Sequence, residues 1–146
     1  MEMEFHLQIH NFRFQILPCM YSLSKSERLS SKILLEELIK SELSFVKYPF
    51  RIVLKDSSLP GEYPARIAIS VSKRKFKRAV KRNRVKRLAR EAYRLNKPEF
   101  YKQIPPGHTI DILFIYLDQN LPVYPKIEKA IKSALQKIPA CLPVEA

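Results

Sequence analysis

Apolar positions recur along the chain in two rhythms, and their alternation sketches a fold. Between Ser30 and Leu43, Ile33, Leu34, Leu35, Leu38 and Ile39 return at helical spacing among Ser, Lys and Glu, which places them on one side of a helix. Ser30 or Ser31 is its expected cap. Phe45–Lys55 and Ala65–Ser72 are rich in strand-forming residues and are separated by the turn-forming Leu59-Pro60-Gly61-Glu62. They are expected to be adjacent antiparallel strands. Pro49 would split the first into a short edge piece and a longer strand from Phe50.

Neither Pro nor Gly occurs between Ala65 and Lys97, so that stretch suits a strand followed by one long helix. The helix is expected to end near Asn96, because Pro98 disfavours the α conformation at Lys97. Thr109–Leu117 is the most apolar segment and reads as a buried strand. Val123-Tyr124-Pro125 opens a last helix with Pro125 near its first position. In it Ile127, Ala130, Ile131, Ala134, Leu135 and Ile138 form one apolar stripe. The order is α-β-(β)-β-α-β-α, a single α+β domain expected over residues 22–138. Residues 1–21 read as a poorly ordered extension, with Met20 as an alternative start, and residues 139–146 as a tail. Glu2, Glu4 and Arg13 interrupt any apolar run there, which argues against a signal peptide.

Composition narrows the function classes. At 146 residues and 46% hydrophobic content, the chain can bury roughly two thirds of its unfolded surface and is no disordered basic tail. Its two glycines, Gly61 and Gly107, cannot build a Rossmann fingerprint or a phosphate-cradling P-loop. No apolar run approaches a membrane span. Cys19 and Cys141 lack CxxC spacing, which argues against zinc and fits a reducing cytosol.

The net charge is +13, from 27 Lys and Arg against 14 Asp and Glu. Lys73 to Arg94 holds 12 of those cations and one acid, Glu91, a net +11 that leaves +2 for everything else. On an ideal helix, Val85, Leu88, Ala89, Ala92 and Leu95 fall on one side, and Asn83, Lys86, Arg87, Arg90 and Arg94 on the other, with Arg82 and Arg84 on the flanks. Most charge runs are solvated faces. Here Arg74, Arg78, Arg82, Lys86, Arg90 and Arg94 would stack as i,i+4 like-charge pairs, each unfavourable by roughly 0.2–0.5 kcal/mol. Lys75, Lys77 and Arg78 crowd a helix N-terminus that favours anions. A polyanion answers both costs, since phosphates neutralise the arginines and suit the helix start. Nucleic acid is therefore the favoured partner over a nuclear-localisation signal or a membrane surface. An interfacial helix needs a free bulky apolar face, and this one is largely alanine.

The run from Val71 to Arg94, VSKRKFKRAVKRNRVKRLAREAYR, closely resembles the signature helix of the bacterial ribonuclease P protein subunit. Its centre carries that family's RNRxKRLxRE motif. The likeness extends to Lys25-Ser26-Glu27-Arg28-Leu29, to the strand Ala65–Ser72 and to the late strand and helix, about residues 22–138 in all. The resemblance implies a mixed four-stranded sheet with an unusual left-handed βαβ crossover, against the right-handed rule. It implies a monomeric protein that partners the catalytic ribonuclease P RNA and precursor tRNA. That complex removes the 5′ leader by phosphodiester hydrolysis, with RNA and its Mg²⁺ carrying the chemistry. By the resemblance, Arg78, Arg82, Asn83, Arg84, Lys86, Arg87 and Arg90 contact RNA, with Lys73, Arg74 and Arg94 as further contacts. A cleft for the single-stranded leader would use Leu35, Ile39, Phe50, Val53, Ser70 and Ser72, ordinary sheet packing being the competing reading. Many members carry phenylalanines where this chain has Leu35 and Ile39, which cannot supply base stacking of roughly 1–3 kcal/mol. Leader contact would then be weaker, or rest more on Phe50 and nearby cations.

No active site or metal site of the protein's own is expected. His6 and His10 have no third ligand, His108 reads as a loop residue, and Asp111 and Asp118 read as strand-end solubility. Ser72 has no activating base, and no carboxylates cluster for paired Mg²⁺. The main rival is a ribosomal or general RNA-binding protein using the same basic helix. A DNA-binding basic-region regulator would need a dimerising heptad, which Pro98 should forestall.

Overall fold

The computed structural model describes residues 22–57, 61–105 and 107–142. Expectations for residues 1–21 (His6, His10 and Cys19 among them), for Leu59 and Pro60 of the turn, and for the last four residues lie outside these. A 3₁₀ turn at Lys25–Glu27 leads into α1 (Lys32–Ile39), β1 (Ser44–Lys47), β2 (Phe50–Asp56), β3 (Ala65–Val71), α2 (Ala79–Lys102), β4 (Ile110–Tyr116) and α3 (Tyr124–Cys141). Ser31 caps α1 by accepting the Leu34 N–H. Pro49 divides β1 from β2 as the pattern suggested, through a cis Tyr48–Pro49 bond. The last helix passes residue 138 and Pro139 and ends at Cys141.

The strands form one mixed sheet in the order β1-β2-β4-β3. Contrary to expectation, β2 and β3 are not neighbours. β4 lies between them, antiparallel to β2 and parallel to β3. Physical chemistry explains the exchange: IDILFIY is buried along nearly its whole length, so it takes a centre with strands on both edges and helices on both faces. A parallel β3–β4 pair needs a long crossover, and α2 supplies it.

Alternation divides each strand between two cores. Phe50, Ile52 and Leu54 of β2, with Ile110, Ile112, Phe114 and Tyr116 of β4, face α2 and α3. All six residues of the α3 stripe are buried against them. On the other face Val53 and Leu113 pack with Leu34 and Leu38 of α1 and with Leu29. Leu29 also donates its N–H to the Ile67 carbonyl at 2.7 Å, so the N-terminal segment covers the edge of β3.

Helix α2 does not stop at Asn96. It runs through Pro98 to Lys102, although a proline inside a helix removes one bond and costs about 3 kcal/mol. The turn around Pro98 is held by tertiary contacts. Lys97 and Glu27 are each 1% exposed and joined at 2.6 Å, and Tyr101 donates to the same carboxylate. Phe100 is buried against Tyr93 with ring centroids 6.5 Å apart. The extra turn is still too short for a heptad repeat, so a basic-region dimer gains nothing from it. The apolar face of α2 is Val85, Ala89, Ala92, Tyr93 and Phe100. Leu88 packs against its margin, whereas Leu95 points outward and is 42% exposed.

Candidate nucleic-acid interface

The two alanines of the buried face bring α2 close to the sheet, and the close fit fixes which side chains face away. Asn83, Arg84, Arg87 and Arg90 are exposed and Lys86 is half-buried at the flank. None of these five side chains has a hydrogen-bond or ion-pair partner among the described residues. Arg94 differs, because Glu91 clasps it at 2.5 and 3.1 Å. Each partner stabilises the other's charge, lowering the Glu91 pKa and raising that of Arg94.

The helix begins later than the charge run does. Arg78 is its cap position, no side chain caps it, and its first turn holds no acid. Lys73, Arg74 and Lys75 lie in the preceding turn, so Arg74 and Arg78 do not join the stack of i,i+4 repulsions. Within that turn Ser72 accepts the Arg74 N–H at 3.1 Å, and Lys75 donates to the Leu117 carbonyl. Arg82 folds back, its Nη1 donating to the carbonyls of Phe76 at 2.7 Å and Lys77 at 2.9 Å. It therefore braces the entry to the helix. Lys73 and the Arg74 and Arg78 side chains are exposed beside it, extending the cationic surface over the N-terminal end of α2.

The proposed leader-cleft residues are only partly assembled. Leu35, Val53 and Ser70 share the α1 face of the sheet, where Leu35, Ala68 and Ile115 flank the small core. Helix α1 covers the row Ser44-Val53-Leu113-Ala68 but leaves the next row, Val46-Arg51-Ile115-Ser70, open. Val46 is 55% exposed there, and Arg51 and Ser70 are exposed beside it. Phe50 cannot line this groove. It is 1% exposed on the opposite face, its ring edge-on to Phe114 and Tyr116. Strand parity is the reason: positions 50 and 53 point to opposite sides. Ser72 belongs to the turn, and Ile39 projects outward at 65% exposure. Arg51, missed by the sequence reading, stands in the open row by the same parity.

The remaining polar candidates have structural roles. Asp111 is no strand-end solubiliser. It is 2% exposed within β4 and accepts from Arg66 Nε at 2.9 Å. Burial nonetheless holds its carboxyl above the usual range. Asp118 caps the N–H of Asn120 at 3.2 Å, a bond that holds its carboxyl below the usual range. His108 sits in the loop before β4, 3.2 Å from Asp56. Among the described residues no group of three or more His, Cys, Asp or Glu is placed to hold a metal ion, and no helix is long and apolar enough to cross a membrane.

An α+β domain that docks one helix by alanines and offers its unanswered cations outward has the form of a polyanion-binding protein. The family comparison is specific: the Ribonuclease P family model matches residues 23–139, and the chain belongs to that family. A ribonuclease P protein component from Porphyromonas gingivalis is 37% identical over 130 residues, covering 88% of this chain and 95% of its own. One from Clostridioides difficile is 41% identical over 92 residues, 62% of this chain and 72% of its own. Among solved structures, the Staphylococcus aureus RNase P protein superposes with a TM-score of 0.61 at 23% identity, over 78% of this chain and 95% of its own. The Thermotoga maritima protein gives 0.59 at 22% over 82% and 99%. These two share the fold.

Proposed function

We propose that this chain is the protein subunit of a ribonuclease P ribonucleoprotein in the cytoplasm, promoting Mg²⁺-dependent removal of the 5′ leader from precursor tRNA. The carrying observation is the outward row Asn83, Arg84, Lys86, Arg87 and Arg90, whose side chains have no partner among the described residues. Cations held apart on a rigid helix are matched to phosphates of a folded RNA, which release counterions as they bind. Arginine adds bidentate recognition that a bare point charge lacks. The open row Val46-Arg51-Ile115-Ser70 suits a single strand: a small, flat floor with one cation for its backbone. The described residues offer no carboxylate cluster for paired metal ions. In this reading Mg²⁺ acts with the RNA, and the protein's contribution is to neutralise phosphates and hold the leader.

Reconstitution tests this reading. Purified protein, the ribonuclease P RNA of the same organism and a precursor tRNA are combined at low Mg²⁺. The protein should raise the cleavage rate and lower the Mg²⁺ requirement. If it binds RNA yet changes neither, it is a general RNA-binding protein on the same scaffold.

A further inference from the structure

Outside the motif, one more arginine reaches the cationic face. Arg28 precedes α1, in the segment that follows the 3₁₀ turn, and its backbone is held from both sides. The preceding residue, Glu27, is sunk into its ion pair with Lys97 and also accepts the Ser24 N–H at 2.8 Å. The following residue, Leu29, is tied to β3 through Ile67, and Arg28 itself bridges to Ile67. The side chain of Arg28 is nonetheless exposed and has no partner among the described residues. It lies across an open cleft of about 480 Å³ from Asn83, Arg87 and Arg90. Leu23 and the Glu91–Arg94 pair complete the walls. Glu91 is engaged with Arg94, so three guanidinium groups face one space with no acid left to answer them.

Such an arrangement is unfavourable in the free protein. Loss of hydration first, and then the charge of Arg28, push the Arg90 guanidinium below its ordinary pKa, both in the direction that disfavours a cation. The buried Glu27–Lys97 pair anchors the Arg28 backbone beside the cleft, so its side chain stays within reach of Arg87 and Arg90.

We propose that Arg28, Arg87 and Arg90 form a phosphate clamp, built across two distant parts of the chain, that takes one phosphodiester of the bound RNA. Asn83 lies in the same cleft as a hydrogen-bond donor to that group or its ribose. This rests on the RNA-binding reading above and extends it to a residue outside the basic run. Arginine suits the role because its fork binds two phosphate oxygens at once. Two forks and a third charge at one phosphate select a backbone position and carry no base information.

The test uses the full chain and the ribonuclease P RNA of the same organism, with binding measured across a salt series. Arg28→Ala should weaken binding several-fold while lowering the log–log salt slope by less than the ~0.7–0.9 of one whole phosphate contact, because Arg87 and Arg90 still neutralise the shared phosphate. Arg28→Lys should recover only part of the affinity, because it restores the charge without the fork. Arg28→Ala combined with Arg90→Ala should lose less affinity than the two single losses added, because both serve one phosphate. Thermal unfolding of Arg28→Ala should match or exceed wild type, since the side chain makes no hydrogen bond or ion pair to lose. An unchanged affinity for Arg28→Ala, with Arg84→Ala still weakening binding, would overturn the clamp and leave the RNA-binding helix standing, and a slope loss of a whole contact would overturn it too by giving Arg28 a phosphate of its own. Unchanged affinity for both variants would overturn the helix reading as well. If inorganic phosphate alone raises the melting point of wild type but not of Arg28→Ala, while RNA binding is unaffected, the cleft holds a free anion and the proposal fails.

Discussion

The two ends of α2 treat positive charge in opposite ways. Near its C-terminal end, Lys97 is almost entirely buried and is met by the Glu27 carboxylate, the Ser22 carbonyl and the aromatic ring of Tyr101. Toward the N-terminal end, Arg84, Arg87 and Arg90 stand in solvent with nothing in the described chain to answer them. The same helix therefore carries one cation whose partner is internal and several that have none within the described chain. The internal pair contributes to holding the N-terminal segment and the turn around Pro98. The unanswered row contributes little to folding and is slightly unfavourable to it. If the row is the RNA-docking surface proposed above, stability and function are separable along one helix, and mutations at either end should show it.

The largest effect belongs to the buried pair. Glu27→Gln or Lys97→Met should each cost about 3–5 kcal/mol in chemical denaturation, because each leaves a buried charged or polar group without its partner. The double change Glu27→Leu with Lys97→Met should recover much of that loss. If the double variant is as unstable as the sum of the singles, the charges are not the source. Next in size, Pro98→Ala should stabilise the protein by about 1–2 kcal/mol. It restores an N–H for the Arg94 carbonyl, and the entropy that proline removes from the unfolded chain offsets part of the gain. A loss of stability would mean that the proline ring itself is needed for the packing there.

How far these contrasts were legible beforehand depended on range. The helices and strands followed from local periodicity, and the outward face of α2 from the placement of its alanines. Strand neighbours did not, because β4 enters between β2 and β3 only to satisfy burial on all its sides, which no local window records. The helix end was misjudged for the same reason: Pro98 is a local stop signal, and the pair of Lys97 with Glu27, seventy residues apart, overrides it. A lysine before a proline carries no mark of burial. The error over Phe50 was of another kind, since period-two alternation already separated it from Val53. Its apolar, aromatic character belonged to the core.

Smaller effects sharpen the comparison from the N-terminal end. Replacing Lys86 and Arg90 together with Ala removes i,i+4 repulsions among Arg82, Lys86, Arg90 and Arg94, each worth roughly 0.2–0.5 kcal/mol. Folding stability should stay level or rise slightly while RNA affinity falls, and a marked drop in melting temperature would show that the row supports the fold. The buried Asp111 gives a weak pH signature. Its folded pKa is raised by burial, so the native state holds its proton more readily than the unfolded chain. Its contribution to stability is therefore most favourable at low pH and declines as pH rises through the interval above the usual carboxylate value. Asp111→Asn should flatten the pH dependence of unfolding in that interval, and an unaltered profile would assign the titration to another group.

The claim that the unanswered row of α2 is an RNA-docking surface is tested most directly by the salt dependence of RNA binding. Wild type and a variant with Arg84, Arg87 and Arg90 all changed to Ala would be titrated against the ribonuclease P RNA across a range of monovalent salt. Each lost phosphate contact lowers the log–log slope by ~0.7–0.9. The account predicts a slope reduced by about 1.5–2.5 in the variant, the lower bound allowing for contacts shared at one phosphate, with an unchanged melting temperature. An equal slope in the two proteins would contradict it, because those arginines would then face something other than RNA.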